Sequence, residues 1–111
     1  MGAKTKVRHE RRQAVRCACQ IPVSCQPAIP AESAPWETIS RDVSATGIGM
    51  ILPRRPEQGD LLEVRMYNSA RTFECSRLVL VIHAYAQTDN TWVVGGNFYS
   101  DLKFDELKLL S

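Results

Sequence analysis

Six short runs, each alternating between apolar and polar residues and closed by proline, glycine or asparagine, leave this chain few ways to fold. Alternation with a period of two puts every second side chain on one face, the pattern of a half-buried strand. Val15, Cys17, Cys19 and Ile21 alternate with Arg16, Ala18 and Gln20, and the run stops near Pro22 and Val23. Trp36–Val43, Gly47–Leu52, Leu62–Tyr67, Phe73–Gln87 and Thr91–Tyr99 repeat the pattern. After residue 99 the period changes. Leu102, Phe104, Leu107 and Leu110 give the partial apolar face of one short helix, with Ser100 as the expected N-cap and Asp101 in its first turn. Six closely spaced strands and a terminal helix predict a small antiparallel barrel or sandwich.

The connections fit that reading. Gln26–Pro35 holds three prolines and little to bury, so it is expected to be a loop. Pro22 marks an edge strand or a strand's end, because it cannot donate to a ladder. Pro53–Asp60, Asn68–Arg71 and Thr88–Asn90 are further turns. Gly47 and Gly49, and the Gly95-Gly96 pair, suggest a bulge or a close backbone approach. Along the fifth run Leu78, Leu80, Ile82 and Ala84 share a face. Met50 and Met66 are core candidates, while Trp36 and Tyr85 are expected to pack or to sit at the rim. His83 has no carboxylate or second histidine near it in sequence and is read as structural or surface.

At 111 residues the chain suits one domain, and an apolar share of 44% argues against disorder throughout. Charge is uneven. Residues 1–16 hold six bases against Glu10, a net +5, and the remaining 95 residues carry −3. Residues 1–10 lack apolar periodicity and are expected to form a flexible basic arm that meets an anion. No run approaches the roughly 18 apolar residues that span a bilayer. The N-terminus lacks a signal-peptide core, so a cytoplasmic protein without membrane insertion is expected. Cys17-Ala-Cys19 has no second clustered pair, and Cys25 and Cys75 stand apart; the four are read as thiols, not metal ligands. There is no nucleophile–base pair, paired-carboxylate signature or glycine-rich phosphate loop, so no catalytic residue and no enzymatic activity are expected.

Two segments stand out against this background. Arg11, Arg12 and Arg16 put three guanidiniums next to the arm, each a planar fork that matches phosphate or the Hoogsteen edge of guanine. About thirty residues on, Asp42, Ser44 and Gly47 sit at a strand junction. A carboxylate there accepts hydrogen bonds from guanine N1 and N2, and a hydroxyl with turn amides serves phosphate or base edges. The same residues also suit a plain hairpin turn held by an Asx or Ser motif, with Gly47 easing the turn.

Taken together, Arg12-x-x-x-Arg16 ahead of Asp42-x-Ser44-x-x-Gly47 in a short all-β chain resembles the PilZ family of cyclic di-GMP receptors. Glu10-Arg11-Arg12, the apolar Ile48–Leu52 run and Gly95-Gly96-Asn97-Phe98 before a helix add to the likeness, which covers roughly residues 8–105. The resemblance implies a six-stranded antiparallel barrel of the split-barrel type with a short C-terminal helix, occupying residues 11–111. It implies that Arg12 and Arg16 grip guanine and phosphates while Asp42, Ser44 and Gly47 surround a guanine and its phosphate. Arg11, just before the first motif arginine, is similar to members that take up an intercalated ligand dimer. Gly96 and Trp92 are secondary candidates at the border of the site, and Asn97 departs from the acidic residue many members carry. The resemblance further implies a receptor without a cofactor, whose arm orders on binding and which signals through an effector protein. Two other readings stay open: a barrel of this family that binds proteins and no nucleotide, and a small barrel that binds nucleic acid through its arm. The acidic balance of the body speaks against the latter.

Overall fold

Strands β1 (Pro22–Pro27), β2 (Trp36–Val43), β3 (Gly47–Leu52), β4 (Leu61–Tyr67), β5 (Glu74–Ala86) and β6 (Trp92–Phe98) close into a barrel in the order β1-β2-β3-β6-β5-β4, every pairing antiparallel. One helix, α1 (Phe104–Leu110), comes after them. The computed structural model describes residues 20–28, 35–87 and 89–111. Closure leaves no edge: β1 pairs β2 on one side and β4 on the other. Pro22 therefore opens a strand that is paired on both sides, instead of ending one or lying at an edge; at a first position its missing N–H costs no ladder bond. Gln26 and Pro27, expected in a loop, belong to β1 opposite Glu63 and Leu62. The part of the expected first strand at residues 15–19 lies outside the described residues.

Alternation turns one side chain in two inward. Val23 and Cys25 of β1, Ile48, Met50 and Leu52 of β3, Leu62, Val64 and Met66 of β4, and Val79 and Val81 of β5 form the core with Val94 and Phe98 of β6. Met50 and Met66 are fully buried, as expected. Cys25 is buried too, which pushes its thiol up to about 12. Leu102 and Leu110 bring the C-terminal segment onto the barrel and Leu107 packs beside them, whereas Phe104, expected on the same face, is 77% exposed.

The helix starts later than Ser100. The Ser100 carbonyl accepts from Arg77 Nε at 2.9 Å, and Leu102 N–H donates to the Ala45 carbonyl at 2.8 Å. These bonds hold the chain extended through Lys103, whose ψ is 159°. The Glu106 carboxylate then reaches back to Lys103 N–H at 2.8 Å and pairs with Arg77, which caps the helix at Lys103. Among the described residues no helix is long and apolar enough to cross a membrane, and no His, Cys, Asp or Glu side chains gather in threes as metal ligands.

Two bulges matter for function. In β2, Ser40 pairs Met50 and Asp42 pairs Gly49, so Arg41 and Asp42 together face one residue of β3. In β5, Val81 pairs Gly96 and His83 pairs Gly95, so Ile82 and His83 together face one residue of β6. A bulge shifts the alternation by one and re-aims the side chains beyond it. Strict alternation would carry Asp42 inward behind buried Ser40, and His83 inward behind buried Val79 and Val81. The bulges turn both outward. They also divide the face expected for Leu78, Leu80, Ile82 and Ala84: Leu78 and Ile82 are exposed, while Ala84 beyond the bulge packs on the core.

Candidate functional site

The outward turn of Asp42 and His83 creates a row across four neighbouring strands. Asp42 of β2 pairs Gly49 of β3, Gly49 pairs Gly95 of β6, and Gly95 pairs His83 of β5. Both ends carry polar side chains and the middle carries none. Each end leans over the glycine beside it. A methyl built on Gly49 would lie 3.0 Å from Asp42 Oδ1, and one on Gly95 would lie 2.5 Å from His83 Nε2. Next along the strands Gly47 pairs Asn97, again with no side chain on β3.

These residues form a cleft of about 410 Å³. Its floor is the Gly47, Gly49 and Gly95 backbone; Arg41 and Asp42 make one wall and His83 with Tyr85 the other. The His83 and Tyr85 rings stack with centroids 4.9 Å apart and planes within 13°. Such a floor suits a flat ring better than a branched side chain. A peptide surface flanked by aromatic rings takes a base, and an arginine at the rim takes an anion.

Four of the residues singled out in the sequence, Asp42, Ser44, Gly47 and Gly96, line this cleft. The local geometry gives them different roles. Ser44 is 5% exposed, and its hydroxyl accepts from Gly47 N–H at 3.1 Å and Thr46 N–H at 3.2 Å. Ser44 N–H in turn donates to the Gly47 carbonyl at 2.9 Å. The hydroxyl thus holds the turn. Gly47 is required for a reason other than turn conformation, since among the described residues the glycine with positive φ is Gly59. A methyl on Gly47 would sit 2.5 Å from the Gly96 carbonyl oxygen, so the need is for close approach of two backbones. Gly96 itself is buried, and a methyl there would meet Val79 and the Leu80 carbonyl within 2.6 Å. It shapes the floor from beneath.

Trp92 is elsewhere. It pairs Leu52 and Ala86 at the far end of β6 and packs half-buried against the core, away from the cleft. Arg11, Arg12 and Arg16 lie outside the described residues, as do Cys17 and Cys19. Where that segment joins the barrel is nonetheless fixed. Ile21 N–H donates to Ser40 Oγ at 3.1 Å and the Ile21 carbonyl accepts Ser40 N–H at 3.0 Å, one residue from Arg41 and two from Asp42. A second cleft of about 500 Å³, with Trp36, Arg54, Arg55 and Asp60 in its walls, holds none of the expected residues.

Sequence reasoning missed Arg41, Gly49, Gly95, His83 and Tyr85. Gly49 and the Gly95-Gly96 pair were visible as signs of close approach. The facing of His83 depends on a bulge that leaves no mark in an alternating pattern, whereas Arg41 follows buried Ser40 and faces outward on plain alternation.

A family model described as the PilZ domain matches residues 10–110. Among solved structures, the chain is similar to the Bacillus subtilis inhibitor of motility MotI/DgrA, with a TM-score of 0.64 at 18% identity over 86% of this chain and 46% of that one. This chain thus spans about half the length of that protein. It is also similar to the PilZ domain of CeSA from a cellulose-synthesizing bacterium, with a TM-score of 0.55 at 14% identity, over 86% of this chain and 89% of that one. At these identities the likeness is one of fold. No curated protein sequence matches the chain.

Proposed function

Because this chain belongs to the PilZ domain family, we propose that it is a cyclic di-GMP receptor that acts through a partner protein in the cytoplasm and catalyses nothing itself. The observation that carries the reading is the row Asp42–Gly49–Gly95–His83: a bare strip of sheet with a hydrogen-bond acceptor at one end and aromatic rings at the other. Guanine offers a flat face to such a strip and N1–H and N2–H donors to a carboxylate beside it.

The phosphates need cations, and Arg41 at the rim is one. The tether at Ile21 supports the others. Arg16 is four residues before Gln20 and Arg12 eight. At about 3.3–3.6 Å per residue, Arg16 Cα is within about 14 Å of that point and Arg12 Cα within about 29 Å. The chain is thus long enough for both side chains to reach a ligand lying on the glycine floor. A ligand held between the segment before Ile21 and the barrel would order one against the other, which changes the surface a partner meets. Arg11 adds a fourth guanidinium to Arg41, Arg12 and Arg16, able to stack on a further base and so to favour uptake of a ligand dimer.

Calorimetric titration of the full chain tests this. Arg12→Ala and Arg16→Ala are each expected to weaken cyclic di-GMP binding by about 2–3 kcal/mol, the scale of a lost charge-assisted hydrogen bond, with thermal unfolding unchanged. Wild-type affinity in both variants would overturn the assignment. No binding by the wild-type chain would favour the protein-interaction reading.

A further inference from the structure

The motif residues account for one side of the cleft, and none of their roles uses His83. Yet the bulge at Ile82 exists where His83 must face outward, and the imidazole is placed with some care. It crosses from β5 to cover Gly95, and Nε2 is the ring atom closest to where a Gly95 methyl would be, at 2.5 Å. The tip of the ring therefore leads towards Gly49 and Asp42. Tyr85, two residues along the same face, stacks on it at 4.9 Å and fixes its tilt. No described residue takes a hydrogen bond from the ring.

We propose that His83 reads the Hoogsteen edge of a guanine whose Watson–Crick edge is held by Asp42. The proposal rests on the receptor reading above and names a base-contacting residue for it. Adjacent strands lie about 4.8 Å apart, so Gly49 and Gly95 leave a strip roughly 10 Å wide between the flanking strands. The Asp42 carboxylate overlies Gly49 and the His83 ring overlies Gly95, so a purine lies flat along the strip towards Gly47, with its edges turned to both groups. The base then meets a carboxylate at one side and an imidazole N–H at the other. Guanine presents donors at N1 and N2 to the first, and acceptors at N7 and O6 to the second. The match is directional. Adenine has no N1–H or N2–H for Asp42, and it places an amino donor where guanine has O6. A neutral imidazole protonated at Nε2, or an imidazolium, supplies the donor.

A chemical double-mutant cycle tests the contact. Full-length wild type and His83→Ala are titrated by calorimetry with cyclic di-GMP and with its 7-deazaguanine analogue, which lacks the N7 acceptor. His83 is exposed, so its truncation leaves the core intact. Wild type is expected to bind the analogue about tenfold more weakly, the scale of one hydrogen bond to a buried acceptor. His83→Ala is expected to lose about tenfold on cyclic di-GMP, and to distinguish the two ligands by less than threefold. An undiminished preference for cyclic di-GMP over the analogue in His83→Ala overturns the role of His83 and leaves the receptor reading standing. Absence of wild-type binding to cyclic di-GMP overturns the receptor reading, and this inference with it.

Discussion

Gly47 and Gly49 lie two residues apart on the same face of β3, and their substitution by alanine is expected to fail in opposite ways. A methyl on Gly47 meets the Gly96 carbonyl oxygen at 2.5 Å, an atom fixed in the β3–β6 ladder. Neither backbone can withdraw without breaking pairing, so Gly47→Ala should destabilise the barrel by about 2–3 kcal/mol, the usual cost of forced overpacking. A methyl on Gly49 is tight only against the Asp42 carboxylate tip, at 3.0 Å, with Arg41 Cβ in ordinary contact at 3.9 Å, so a side chain and not a backbone must give way. Alanine in an extended strand also loses less entropy than glycine on folding, worth about 0.4–1 kcal/mol. Gly49→Ala should therefore unfold within about 1 kcal/mol of wild type. Its binding should suffer badly. The methyl stands on the floor where a base would stack, a contact worth about 1–3 kcal/mol, and it displaces the carboxylate that holds the base, worth about 1.5–3 kcal/mol. A combined loss of roughly 3 kcal/mol weakens the dissociation constant more than a hundredfold. Urea denaturation and calorimetric titration of both variants decide the matter. Wild-type affinity for cyclic di-GMP in Gly49→Ala, or unfolding of Gly49→Ala as easily as Gly47→Ala, would refute the reasoning.

Ser44→Ala should cost about 1–2 kcal/mol, because the Gly47 and Thr46 amides lose their shared acceptor while the fold around them stays closed; Ser44→Thr, keeping the hydroxyl, should recover part of that in the same urea titration. Burial pushes the Cys25 thiol from 9.0 to about 12, so the folded state favours the neutral form. That contribution is fully present below pH 9 and is lost as pH rises from 9 towards 12, by about 1.4 kcal/mol per pH unit. Comparing wild type with Cys25→Ala by denaturation at pH 8 and pH 10.5 checks it: the wild-type advantage should shrink by about 2 kcal/mol.

The strands were legible because burial on a closed barrel writes itself directly into alternation. β2 and β3 run from Trp36 to Val43 and from Gly47 to Leu52, as their patterns indicate. What alternation misses is any event that shifts its phase. Ser40-Arg41-Asp42 and Val81-Ile82-His83 look like uninterrupted strand, yet each contains the extra residue that turns a site residue outward. The helix start was misplaced for a related reason. Ser100 is a good cap in isolation, but Arg77, 23 residues away in sequence, takes its carbonyl. The motif Asp42-x-Ser44-x-x-Gly47 was visible as chemistry, and the structure gives each member its own role. Ser44 holds the turn, Gly47 lets β6 approach, and Asp42 faces the cleft.

The central claim is that the glycine-floored cleft between Asp42 and His83 is where this chain holds cyclic di-GMP. An amide NMR titration of the full chain with that ligand tests it most directly. The claim predicts saturable shifts at Gly47, Gly49, Gly95 and Asn97, with the Gly59–Leu62 wall of the second cleft unmoved. Saturable shifts confined to Trp36 and Gly59–Leu62, or no saturable shifts at all, would contradict it.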